Sequence, residues 1–100
     1  MEYLILYHAT SEKDFSGFIH SRGTAFVSRD INVAIDVLKN KLNVSSCKII
    51  KSVIPLELAE SLLKNEREYF GFFPYNLNST EIVLRTKEEQ EIFNTYLELS

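Results

Sequence analysis

The stretch TAFVSRDINVAIDVL, Thr24 to Leu38, changes its period halfway along. Thr24 to Ser28 is a short apolar run rich in β-favouring residues that ends on a hydroxyl, which predicts a strand. Asp30 has the chemistry of a helix N-cap, because its carboxylate can accept from the free backbone N–H groups of a first turn. Ala34, Val37, Leu38 and Leu42 then recur at helical spacing and predict one buried stripe. Strand, turn and helix thus follow each other within twenty residues, and the rest of the chain is tested against that rhythm.

Upstream, Tyr3 to His8 is almost wholly apolar and predicts a strand covered on both faces. Thr10 or Ser11 is placed to cap a following helix, with Ser11 and Asp14 forming a weakened capping box. Phe15, Phe18 and Ile19 give that helix its apolar face, and Gly23 closes it. Downstream, Cys47 to Ile54 predicts a third strand, with Lys48 and Lys51 marking a wet face. Pro55 suits the first position of a third helix whose inward residues are Ala59, Leu62 and Leu63. The segment NEREYFGFFPYNLN, 65–78, has neither period and predicts an irregular loop. Thr80 to Leu84 predicts a fourth strand. Thr86 with Glu89 is a full capping box, opening a last helix that buries Ile92, Phe93, Tyr96 and Leu97.

The order is therefore βαβαβα, a loop, then βα, over a single domain of 100 residues. Strict alternation is the pattern of a parallel sheet. The strands are short, however, and no glycine-rich phosphate loop joins a strand to a helix. The expectation is a compact α+β domain, with a small α/β sandwich as the alternative.

Composition narrows the function classes. Charged residues make up 25% of the chain and hydrophobic ones 45%, an ordinary globular balance. A net charge of -3 argues against broad nucleic-acid binding, which rests on phosphate neutralisation by Lys and Arg. A single cysteine, Cys47, excludes an internal disulfide and any multi-cysteine metal site. No His, Cys or carboxylate cluster has ligand spacing, so no metal is expected. Neither a signal peptide nor an apolar run of roughly 20 residues is present, and the expected compartment is the cytoplasm.

Three features carry candidate chemistry. His8 ends the first strand, either as a solvated strand end or as a site residue. Glu81 interrupts an apolar strand and faces either solvent or a site. Tyr69, Phe70, Phe72, Phe73 and Tyr75 crowd the irregular segment before it. They close over the core or form stacking walls for a planar ligand or a partner. Ser28 and Arg29 fit an ordinary strand-to-helix turn capped by Asp30.

Together, LYHATS, a helix closed by SRG, AFVSRDINVAIDVL and STEIVL resemble a reduced ADP-ribosyltransferase, in the branch of diphtheria toxin and the poly-ADP-ribose polymerases. In that superfamily the first core strand carries His or Arg. The second ends in an aromatic and a Ser or Thr, and a late strand carries the catalytic Glu. The resemblance implies catalytic roles for Glu81 and His8, with NAD as substrate. It implies NAD contacts from His8, Thr10, Phe26, Ser28 and Arg29, with Arg22 as the alternative pyrophosphate ligand. Glu81 would stabilise the oxocarbenium-like charge left as nicotinamide departs, while His8 would orient a ribose. It further implies mono-ADP-ribosylation of a host protein by a bacterial toxin or phage effector.

Three departures bear on these implications. The second motif lacks tyrosine. Ser79 stands where arginine- and asparagine-modifying members carry Glu or Gln. The chain is also shorter than usual for an active transferase. A non-catalytic binding protein on the same scaffold, such as a phage-encoded blocker of a host defence complex, is the alternative. The RNA 2'-phosphotransferase branch ranks last, because the chain is acidic.

Overall fold

The computed structural model describes residues 2–10, 25–41, 48–69 and 79–98. The expected first helix, His20, Arg22, Leu42, Cys47 and the aromatic run after Tyr69 lie outside them.

The described residues form an α+β domain of six strands and three α-helices. In chain order these are β1 (Tyr3–Thr10), β2 (Ala25–Val27), α1 (Ile31–Asp36), β3 (Lys48–Pro55), α2 (Leu56–Leu63), β4 (Glu66–Tyr69), β5 (Ser79–Leu84), α3 (Lys87–Thr95) and β6 (Leu97–Glu98). A π-helical segment, Val37–Lys41, prolongs α1. One sheet has the order β1-β3-β6 and the other β2-β5-β4. Every described ladder is antiparallel, so the parallel arrangement hinted at by alternation is absent from them.

Among the described residues one backbone bridge joins the sheets. Tyr7 and Ser28 exchange backbone hydrogen bonds of 2.7 and 3.0 Å, an isolated bridge between β1 and β2. Helix α1 rides over this seam. Its Ala34, with Leu38 beyond it, packs on Ala9, Tyr7 and Ile49 of the first sheet. Val33, with Val37 beyond, packs on Phe26 and Tyr69 of the second. Asp30 caps α1 as predicted, accepting from Asn32 N–H at 2.8 Å.

The opposite face carries the main core. Leu4, Leu6, Ile50 and Ile54 from one sheet and Ala25, Val27, Ile82 and Leu84 from the other pack with Ala59, Leu62 and Phe93 of α2 and α3. The Thr86–Glu89 capping box is present and opens α3. Ser52, fully buried, donates to the Phe93 carbonyl at 2.7 Å, which satisfies a hydroxyl inside the core.

Five expectations are corrected. Strand β1 runs on to Thr10, which pairs with Lys48 as a strand residue. Its first half is open on one face, with Tyr3 52% and Ile5 39% exposed. Pro55 ends β3 and stands at the N-cap of α2, one residue before the position predicted. Part of the expected irregular segment is the strand β4, and Leu97 belongs to β6 rather than to the last helix.

Candidate functional site

His8 sits where the two sheets part. Its Nδ1 donates to the Phe26 carbonyl at 2.8 Å, one residue beyond the Tyr7–Ser28 bridge. The imidazole thus occupies the place of a ladder bond and satisfies a strand carbonyl. This bond fixes the proton on Nδ1 and leaves Nε2 as an acceptor in the neutral ring. Burial holds the His8 pKa below its usual 6.5, and the Phe26 bond opposes that shift only partly. The ring is neutral at neutral pH.

Glu81 lies in β5, 4% exposed. Its Oε1 accepts from Arg67 Nε at 2.8 Å, while the Arg67 side chain is itself 52% exposed. Its Oε2 is buried and has no hydrogen-bond partner among the described residues. An ionised carboxylate is an acceptor on both oxygens, so this atom is a place for a donor.

Arg67 is directly opposite Glu81 in the β4–β5 register. The β2–β5 pairing of Val27 with Ile82, continued by one residue, sets Ser28 beside Glu81. Tyr7, Ser28, Glu81 and Arg67 therefore form a row across four strands, on the face that α1 covers. Tyr69 and Asp36 join it from the side, with the Tyr69 hydroxyl donating to Asp36 Oδ2. Burial pushes the Tyr69 pKa well up; the Asp36 hydrogen bond, then the charges of Asp36 and Glu81, add to it.

His8 is not in that row. On β1 it alternates in phase with Leu4 and Leu6, and it stands opposite Ile50, so it belongs to the face of the main core. Glu81 alternates with Ile82 and Leu84, which line that same core, so it belongs to the other face. Strand alternation thus sets the two expected catalytic side chains on opposite faces of the joined sheets. The described hydrogen bonds and ion pairs do not connect them.

The expected NAD contacts are mostly engaged within the chain. Ser28 is 1% exposed; its Oγ donates to the Thr80 carbonyl at 2.6 Å and accepts from Asp30 N–H at 3.0 Å. Arg29 grips Glu66 through Nε at 2.8 Å and Nη2 at 2.9 Å. Thr80 Oγ1 donates to the same Glu66 at 2.8 Å. Phe26 packs under α1 against Val33, Val37 and Tyr69. Thr10 is half-buried at the end of β1.

Sequence reasoning missed Arg67, Glu66 and Asp36, and named Tyr69 only as part of the aromatic run. Asp36 lay outside the predicted stripe of Ala34, Val37, Leu38 and Leu42, yet it is 7% exposed. A surface cleft lined by Glu2, Pro55, Leu56, Glu57 and Glu60 holds none of the candidate residues. Among the described residues no group of three or more His, Cys, Asp or Glu side chains is arranged to hold a metal. No described helix is long and apolar enough to cross a membrane.

Fold and site together define a small antiparallel α+β domain in which a buried Glu81 is paired with a half-exposed Arg67. No family model, curated protein or solved structure matches the chain.

Proposed function

We propose that the chain is a small ADP-ribosyltransferase-like protein that uses NAD to modify a protein acceptor and works through Glu81. The observation that carries this reading is the Glu81 carboxylate. It is buried in the middle of a sheet, held from one side by Arg67, and has one oxygen unpaired among the described residues. A fixed negative charge in a dry site is worth most where positive charge develops. The bond from ribose C1' to nicotinamide breaks with its electron pair leaving on nicotinamide. C1' becomes electron-deficient beside the carboxylate, and the acceptor's nucleophile bonds to it, releasing its proton to solvent.

Other residues have supporting roles. Ser28 ties β2 to β5 at the Glu81 position. His8 holds the seam through Phe26 rather than pairing with Glu81 across a cleft.

One observation favours a second reading, a non-catalytic binding protein on this scaffold. The charged groups of the expected site are already engaged, Arg67 on Glu81 and Arg29 on Glu66. Label transfer from NAD into a protein mixture separates the two. Transfer by wild type and its loss in Glu81→Gln support the transferase. Absence of transfer, with capture of a partner that survives Glu81→Gln, supports the binder.

A further inference from the structure

Arg67 is joined to Glu81 in a way that closes the site and also tells what would open it. It stands on β4, the outermost described strand of its sheet, with its side chain half in solvent. Glu81 is buried. Removing the guanidinium leaves a buried carboxylate without a counter-charge, which is costly. A ligand displaces Arg67 only if it brings hydrogen-bond donors to Glu81 and offers the guanidinium a new anion.

We propose that Arg67 is an exchange residue, which leaves Glu81 for a phosphate of the incoming ligand as the ligand's sugar hydroxyls take its place on the carboxylate. The inference rests on the proposed reading of Glu81 and adds to it a ligand requirement. A bare anion satisfies Arg67 and strands Glu81. A sugar without phosphate satisfies Glu81 and strands Arg67. A nucleoside diphosphate ester carries both groups, and a guanidinium matches phosphate through a two-pronged contact that an ammonium lacks. The other β4 carboxylates do not compete for Arg67. Glu66 is held by Arg29, and Glu68 is exposed opposite Thr80.

The test is calorimetric titration of wild type, Arg67→Ala, Arg67→Lys and Glu81→Gln with NAD and with nicotinamide riboside, which has the sugar and base but no diphosphate. Wild type is expected to bind NAD. Arg67→Ala should bind it roughly tenfold or more weakly, the scale of one lost charge-assisted contact. The same variant should bind nicotinamide riboside at least as well as wild type does, because that ligand no longer has to evict an arginine. Arg67→Lys keeps a counter-charge for Glu81 and serves where the alanine variant is unfolded; it too should weaken NAD binding. If wild type binds NAD and both Arg67 variants match it, the exchange is wrong while the site stands. If both ligands weaken equally in Arg67→Ala, the exchange is again wrong. If wild type binds neither ligand, the reading of Glu81 fails and the exchange falls with it.

Discussion

Arg67 and Glu81 face each other across the β4–β5 ladder, joined at 2.8 Å, one half in solvent and the other buried. The pair differs from the neighbouring ion pair of Arg29 and Glu66, whose partners are 48% and 20% exposed. Exposed pairs contribute about 0–1 kcal/mol and weaken with salt. A double-mutant cycle on Arg29 and Glu66 should therefore give a coupling of at most about 1 kcal/mol, smaller at high salt. Arg67→Ala should destabilise more than Arg29→Ala in urea denaturation, because only the former leaves a buried carboxylate unpaired.

His8 ties stability to pH. Its folded pKa lies below 6.5 because burial penalises the charged ring. Its contribution is fully present above 6.5, the value in the unfolded chain, and is lost as pH falls from there through the lower folded value. Melting temperatures measured from pH 7.5 downward should decline more steeply for wild type than for His8→Gln. Equal slopes would remove His8 as the cause.

The α3 cap makes a prediction at lower pH. Burial alone would raise the Glu89 pKa. Hydrogen bonds from the Thr86 and Arg85 backbones, the Asn65 amide and the Thr86 hydroxyl outweigh it and hold the pKa below 4.5. This stabilisation is present above 4.5 and lost as pH falls through the folded value. Thr86→Ala should cost about 1 kcal/mol in denaturant unfolding at neutral pH, the usual worth of a helix N-cap. An unchanged midpoint would contradict the cap's role.

Tyr69 makes the alkaline counterpart. Its pKa is raised above 10 by burial, by its bond to Asp36 and by the charges of Asp36 and Glu81. The neutral phenol's contribution is complete below 10 and is lost as pH rises above it. Absorbance titration of phenolate should show a late component that disappears in Tyr69→Phe. Its persistence in that variant would place the perturbed tyrosine elsewhere.

Much of this scaffold was legible in the residues, and the exceptions have physical causes. Strands β2 and β5 and the caps of α1 and α3 are written locally, in apolar runs and side chains that bond their own backbone. Strand β4 was not, because Glu66, Arg67 and Glu68 form an outer strand wet enough to lose the apolar alternation. Strand β6 is two residues long and exists only through pairing with Lys51 and Ser52. Glu81 was legible as an anomaly inside an apolar strand. Its partner was not, since the cross-strand register that selects Arg67 depends on a strand the pattern concealed. The expected link from His8 to Glu81 fails for a related reason: which residues share a face depends on how the sheets join at Tyr7 and Ser28, a contact without local signature.

The central claim is that Glu81 is the catalytic carboxylate, and release of free nicotinamide from NAD tests it most directly. Glu81→Gln keeps the shape of the side chain and removes only its charge. Wild type should release nicotinamide above the rate in buffer alone, and Glu81→Gln, folded to the same melting profile, should fall by roughly 100-fold or more. Equal rates in the two proteins, or a wild-type rate no greater than buffer, would contradict the account.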